Sequence, residues 1–91
     1  MADRYRIDFA PAAGRQLAHL ALAVQRRIRS AIDHLAVDPR PSGVVRLTNT
    51  SSKPAWRIRV GDYRVIYEIH DDQLLVLVIR IGHRREVYRL R

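Results

Sequence analysis

Three arginines alternate with apolar residues around a glycine in the stretch WRIRVGDYRVIY. The alternation is typical of two strands, and a glycine at the corner supplies the positive φ that tight hairpin turns need. If Gly61 and Asp62 form the loop, Arg59 faces Arg64, and Arg57 lies on the same side of the hairpin. Guanidinium groups bind phosphate well, so this side could hold a phosphate or stabilise a transition state that gains negative charge.

The pairing of Arg59 with Arg64 is not explained by folding. Like charges directly opposite each other destabilise a hairpin, and an anion bound between them would reverse the sign of that interaction. The alternative is a solvated arginine surface whose only role is to keep the protein in solution. A second basic cluster, Gly82-His83-Arg84-Arg85, follows an apolar strand, and an antiparallel return of that strand could bring it toward the hairpin.

The charge balance indicates a polyanionic partner. Seventeen Lys and Arg residues oppose nine Asp and Glu residues, which gives a net charge of +8 and an isoelectric point near 11.2. Only Lys53 is a lysine, and the arginine bias favours nucleic acid over a membrane. High-GC coding could also favour arginine over lysine, and an acidic protein partner would equally account for the excess charge.

Composition also limits the class of protein. The chain has 91 residues and 47% hydrophobic residues, which predicts one domain over residues 1–91. It has no cysteine, so disulfides and thiolate metal sites are excluded. No apolar run resembles a signal peptide or a membrane span, and we therefore expect a cytoplasmic protein. Turn chemistry explains His70-Asp71-Asp72 better than metal binding, and we expect no metal and no cofactor.

The periodicity of the apolar residues predicts several strands and one long helical region. A strand is expected at Arg4–Phe9, followed by a helical region from Pro11 to about Val37, whose pattern fits one helix or two. A brief extended piece and a polar loop precede the arginine hairpin. The stretch LLVLVIRI, residues 74–81, is apolar on both faces, as in a central strand, and a last short strand is expected at residues 86–90.

The chain resembles the RelE branch of the RelE/ParE toxin superfamily over essentially its whole length, and most specifically in its second half. The resemblance rests on W-R-I-R-V-G-D-Y-R-V-I-Y-E-I, a D-D turn and V-L-V-I-R-I-G-H-R-R-E-V-Y, preceded by D-P-R-P-x-G. It implies a small α+β fold, with an N-terminal helical hairpin packed on one face of a mostly antiparallel sheet. It also implies a toxin of a type II toxin–antitoxin system, a ribosome-dependent endoribonuclease that cuts mRNA in the A site and is inhibited by a cognate antitoxin, expected to contribute an acidic segment.

The resemblance assigns roles to individual residues. Arg57 and Arg59 match the basic pair that holds the RNA backbone, and Arg64 matches the arginine expected at the scissile phosphate. Arg84 matches the arginine after the strand-ending glycine, and Tyr88 matches the tyrosine of the terminal E-V-Y. His83 stands where well-studied members have lysine.

Metal-independent cleavage of RNA needs a charge stabiliser and groups that move protons. Arginine suits the first need, since a guanidinium stays protonated at any working pH. Tyr88 and His83 are the candidates for proton transfer, because nearby cations favour a phenolate and an imidazole can accept a proton. Two other functions remain open for the same scaffold: a ParE-like toxin that poisons DNA gyrase, and a basic RNA-binding module without catalysis.

Overall fold

The computed structural model describes residues 4–47 and 54–85, which form two helices and a five-stranded sheet. In chain order the elements are β1 (Arg6–Phe9), α1 (Pro11–Ala18), α2 (Leu22–His34), β2 (Val45–Leu47), β3 (Ala55–Val60), β4 (Tyr63–His70) and β5 (Leu75–His83). The strand order is β1-β5-β4-β3-β2, with β1 parallel to β5 and every other neighbouring pair antiparallel. This is the α+β fold that the family resemblance implies.

The helical region is divided into two helices although no glycine or proline marks the break. Pro11 occupies the first turn of α1, where its missing N–H is not needed. Between the helices, the side chain of Gln25 donates hydrogen bonds to the carbonyl oxygens of Leu20 at 2.9 Å and Ala18 at 3.2 Å. These bonds satisfy carbonyl groups that a continuous helix would otherwise pair. The two helices confirm the helical hairpin that the family resemblance implies.

The core lies between the helices and one face of the sheet. α1 packs mainly on β5 and α2 on β3, because each helix carries an apolar stripe. Trp56 and Tyr63 lie half-buried against this core, and Tyr67 lies inside it, as their positions opposite the arginines predict. The largest fully buried side chains are Tyr67, Ile28, Ile32, Leu35, Ile81, Val65, Val76 and Val78.

The β3–β4 hairpin has the register that the sequence predicts. Arg59 pairs with Arg64 and Val60 with Tyr63, on either side of the Gly61-Asp62 loop. Gly61 has a φ of 61°, in the region that glycine adopts without a steric cost. The loop therefore fixes which side chains of the two strands share a face.

The strand predicted to be central, residues 74–81, lies next to the centre: β4 is the middle strand and β5 lies between β1 and β4. A bulge interrupts the alternation of β5, since Tyr67 pairs with Val78 whereas the adjacent Ile66 pairs with Arg80. The extra residue is Ile79. Beyond it, Ile81 points into the core and Arg80 points to the opposite face, which an unbroken alternation would have reversed.

The first predicted strand is present as the edge strand β1, although it begins at Arg6 and not at Arg4. It pairs with β5 only as far as Val78, and the N–H of Ile81 further along β5 donates to Oε1 of Gln16 at 2.8 Å. The side chain of Gln16 thus accepts a hydrogen bond that a longer β1 could have accepted. Neither helix among the described residues is long and apolar enough to cross a membrane. The strand predicted at residues 86–90 lies outside the described residues.

Candidate nucleic-acid interface

The sheet has one face packed against the helices and one face that carries arginines. Strand alternation and pairing register put four arginines on the second face, which we call the arginine face: Arg57, Arg59, Arg64 and Arg80. Among the described residues, the buried side chains of both helices pack on the face of the sheet opposite the arginine face. A ligand could therefore approach the arginine face without displacing either helix.

Arg59 and Arg64 form the most crowded cationic pair on this face. Directly opposed side chains in an antiparallel ladder have Cβ atoms about 4.5–5.5 Å apart. Arg59 is exposed and Arg64 half-buried. Nη1 of Arg64 lies 3.3 Å from the carbonyl oxygen of Tyr63 and 3.5 Å from that of Gly61, so its guanidinium is held toward the hairpin tip.

Gly82 pairs with Arg64 from the β5 side. A glycine has no side chain, so residue 82 adds no side chain to the arginine face beside Arg64. An anion bound between Arg64 and Arg59 would relieve their mutual repulsion.

Arg57 and Arg80 lie deeper along the face, on either side of Ile66, which is 6% exposed. Both arginines are half-buried, and Nε of Arg57 is buried. Their aliphatic stems can cover the apolar surface beside Ile66. Sequence reasoning assigned Arg57 to this face but did not consider Arg80. The signal for Arg80 was hidden, because only the bulge at Ile79 turns it toward the other arginines.

The segment after β5 is tied to the hairpin tip through the main chain. The N–H of Arg84 donates to the carbonyl oxygen of Asp62 at 2.8 Å, which brings the predicted basic corner beside the turn. The side chains of Arg84 and Arg85 are exposed. Four of the predicted site residues, Arg57, Arg59, Arg64 and Arg84, are thereby gathered at one end of the sheet.

Two predicted site residues are placed differently. His83 pairs with Tyr63, and their rings meet edge to face with centroids 5.8 Å apart, so the imidazole lies on the helix side of the sheet and not beside Arg64. To contact a ligand on the arginine face, the imidazole of His83 would have to extend around the end of β5. Tyr88 lies outside the described residues, and its role stays a prediction.

A second charged cluster lies at the end of β4 away from the hairpin turn, and its role is structural. Asp71 accepts hydrogen bonds from Arg40 Nη2 at 2.9 Å and from the Tyr5 hydroxyl at 2.5 Å. These bonds, that to Arg40 foremost, lower the pKa of the Asp71 carboxyl, and the bond to Asp71 raises the pKa of Tyr5. Arg40 also lies over the ring of Trp56, 5.1 Å from its centroid. Its charge is thus paired within the fold.

Comparisons with known proteins agree with this geometry. The profile of the ParE toxin family of type II toxin–antitoxin systems, parDE, matches residues 7–88. A curated protein of Escherichia coli described as a RelE-like toxin is 27% identical over 90 residues, which cover 96% of this chain and 93% of that protein.

Solved structures show the same architecture. The archaeal RelE–RelB complex from Pyrococcus horikoshii contains a chain 29% identical to this one, with a TM-score of 0.76 over 92% of this chain and 97% of the other. The toxin–antitoxin complex RelBE2 from Mycobacterium tuberculosis gives 23% identity and a TM-score of 0.79 over 91% and 94% of the two chains. The chain therefore belongs to the ParE toxin family of type II toxin–antitoxin systems, within the RelE branch of the RelE/ParE superfamily.

Proposed function

We propose that this toxin is an endoribonuclease that cleaves mRNA in the ribosomal A site without a metal ion. The observation that carries the proposal is the opposition of Arg59 and Arg64 on the arginine face, beside the side-chain-free position of Gly82. A pair of this kind costs folding free energy and is compensated when a phosphate binds. A purely solubilising surface would not need two cations in direct opposition.

In the proposed reaction, a ribose 2′-hydroxyl attacks its own 3′-phosphate. The new bond joins O2′ to phosphorus, the bond from phosphorus to the 5′ oxygen of the next nucleotide breaks, and the products are a 2′,3′-cyclic phosphate and a 5′-hydroxyl. Negative charge grows on the non-bridging oxygens in the transition state. Arg64, held toward the hairpin tip, and Arg84, which follows β5, stabilise this charge.

The two proton transfers need other groups, because a guanidinium does not release its proton at working pH. We assign them to Tyr88 and His83: one removes the proton of the 2′-hydroxyl, and the other protonates the departing 5′ oxygen. Because His83 lies beside Tyr63, on the face of the sheet away from Arg64, we expect Tyr88 to contribute more to catalysis than His83. Arg57 and Arg59 hold the phosphates that flank the scissile one.

The partner that restrains this activity is, in our proposal, a cognate antitoxin with an acidic segment. Two of the solved relatives are RelE–RelB and RelBE2 toxin–antitoxin complexes. A net charge of +8 on a chain of 91 residues favours an acidic partner, and the exposed arginines at the hairpin tip are suitable contacts.

The proposal is tested by inducing the toxin alone in cells and mapping the 5′ ends of transcripts. A reporter message and a copy that differs only in its start codon provide matched translated and untranslated substrates. We expect new 5′-hydroxyl ends within the codons of the translated copy only. Equal cutting of both copies would contradict ribosome dependence, and no cutting with continued toxicity would contradict the nuclease.

A second function is favoured by one observation, the match to the ParE family profile over residues 7–88. A ParE-like toxin would poison DNA gyrase on this same scaffold. Gyrase poisoning would give cleaved supercoiled DNA in a purified gyrase reaction and would leave translated messages intact. The same Arg64→Ala variant serves both assays, since only the nuclease needs a charge stabiliser at the scissile phosphate.

A further inference from the structure

A fifth arginine reaches the hairpin from the helix side. A methyl group placed on Gly61 would lie 3.3 Å from Nη2 and 3.6 Å from Nη1 of Arg27, which belongs to α2. The guanidinium of Arg27 therefore lies against the turn. This close approach is available because residue 61 has no side chain, and the φ of 61° at this position also disfavours any other residue.

Arg27 and Arg64 meet the same glycine from opposite sides of the sheet. Nη1 of Arg64 is 3.5 Å from the carbonyl oxygen of Gly61, whereas Arg27 approaches the α-carbon. The main chain of Arg84 is bonded to the next residue of the loop, Asp62. The cationic surface thus continues from the arginine face around the tip of the hairpin to α2.

Across residues 4–47 and 54–85, no carboxylate lies within 4.0 Å of the guanidinium of Arg27. Arg29 on the same helix differs, because its guanidinium lies 3.9 Å from Asp33 and over the ring of Phe9, 5.6 Å from the centroid. A bound anion would therefore stabilise the guanidinium of Arg27 at the hairpin tip.

We infer that Arg27 forms a phosphate-binding subsite at the hairpin tip, adjacent to Arg64, for the backbone of an RNA strand. The inference rests on the proposed nuclease function and extends its substrate contacts beyond Arg57 and Arg59. A single strand carries one phosphate per nucleotide, so a strand with its scissile phosphate at Arg64 must pass neighbouring phosphates around the tip. Arg27 is a binding residue in this arrangement and takes no part in bond breaking.

The subsite is tested by the salt dependence of binding for Arg27→Gln, with Arg29→Gln as the matched control on the same helix. Both variants lose one positive charge, but only the first loses a guanidinium at the tip. One probe is a short 2′-O-methylated single-stranded RNA, and the other is a ribosome programmed with a 2′-O-methylated A-site codon. Neither probe can be cleaved, because the attacking hydroxyl is blocked.

We expect Arg27→Gln to reduce the slope of log affinity against log salt concentration by about 0.7, the value for one single-strand phosphate contact. A slope change of about 0.7 makes binding about fivefold weaker at 0.1 M salt, when the variant and the unsubstituted protein bind equally at 1 M salt. Arg29→Gln should leave the slope unchanged. Loss with both probes assigns the phosphate to the message strand, and loss on ribosomes alone assigns it to ribosomal RNA.

Equal slopes for Arg27→Gln and the unsubstituted protein would overturn the inference alone, and so would an equal loss for Arg29→Gln. If Arg27→Gln weakens only the antitoxin complex, Arg27 belongs to a protein interface and the inference is again overturned. Failure of the unsubstituted protein to bind either probe would overturn the proposed function itself, and this inference with it.

Discussion

Arg64 is held at the hairpin tip by backbone carbonyls and lies opposite another arginine. Nη1 of Arg64 lies 3.3 Å from the carbonyl oxygen of Tyr63 and 3.5 Å from that of Gly61, and no side chain projects from Gly82 beside it. The side chain therefore contributes little to the core and much to the charge of the arginine face. A residue that serves the site can thus be distinguished from a residue that stabilises the fold.

We expect Arg64→Ala to lower the single-turnover cleavage rate by roughly 100- to 1,000-fold, the range found when one charge stabiliser is removed from an active site. The midpoint of thermal unfolding should stay unchanged or rise, because the substitution relieves repulsion with Arg59. Cleavage assays and circular dichroism melts check both parts. A large fall in the melting temperature would show that Arg64 is structural.

Asp71 is the contrasting residue, because its charge is used within the fold. Its pKa is lower in the folded protein than in the unfolded chain, so the bonds to Arg40 and Tyr5 stabilise the fold above the ordinary carboxyl pKa of about 3.9. That stabilisation is lost as the pH falls through the lowered value. Asp71→Asn should therefore melt earlier than the unsubstituted protein at pH 7.

The deficit of Asp71→Asn should narrow as the pH falls below about 4, because the Asp71 carboxyl is protonated in the unfolded chain before it is protonated in the folded protein. Asp72→Asn, the exposed neighbouring substitution, provides the control and should change the melting temperature little at any pH. A deficit of Asp71→Asn that is the same at pH 7 and pH 2.5 would contradict a role for the charge.

At the scale of elements, the β3–β4 hairpin was predictable because a local rule determines it. A two-residue loop containing Gly61 fixes the register, and the register fixes the arginine face. β5 was less predictable because its bulge depends on pairing with β4. An uninterrupted strand would point Arg80 into the core, where an unpaired guanidinium is costly, and would point Ile81 away from it.

The contributions of Arg27 and Arg80 to the charged surface were not visible from the sequence. Arg27 lies beside the apolar stripe of α2, and only the packing of that helix over the hairpin brings it to Gly61. The break between α1 and α2 is a third such case. It depends on hydrogen bonds from Gln25 across the loop, for which the local sequence has no turn signal.

Substitutions in β3 and substitutions after β5 should have different effects on binding and on the cleavage rate. Arg57→Ala and Arg59→Ala, on β3, should each weaken RNA or ribosome binding and reduce the log–log salt slope by about 0.7, while cleavage continues at saturating enzyme. Arg84→Ala and Tyr88→Phe, which follow or lie beyond β5, should bind nearly normally and cut slowly. Single-turnover rates and salt titrations distinguish the two classes.

If the β3 variants bind normally and lose all cleavage, these arginines contact the scissile phosphate itself and the division of roles is wrong. His83→Ala is informative in the same assays. Because the imidazole lies on the helix side of the sheet, we expect His83→Ala to lose less cleavage activity than Tyr88→Phe.

At the scale of the whole molecule, the excess of positive charge acts at long range. The chain carries a net charge of +8, and the arginine face and hairpin tip concentrate cations at one end of the sheet. A concentrated field of one sign accelerates encounter with an oppositely charged partner more than it lengthens the life of the complex.

We therefore expect the association rate constant with an acidic antitoxin to fall by about tenfold or more between 50 and 500 mM salt. The dissociation rate constant should change much less, because contacts made at short range are screened weakly. Stopped-flow fluorescence measures the first rate constant and a competition chase the second. A salt effect confined to dissociation would contradict steering by the arginines.

The parallel pairing of β1 with β5 has a consequence for the order in which a newly made chain can fold. β1 is synthesised first, yet its one neighbour in the described sheet is made only after both helices and the arginine hairpin have emerged. The hairpin and helices can form from nearby segments, whereas β1 must wait for a contact more than sixty residues away in sequence. The ribosome-dependent nuclease that we propose would then remain incomplete while its own ribosome is still translating β5.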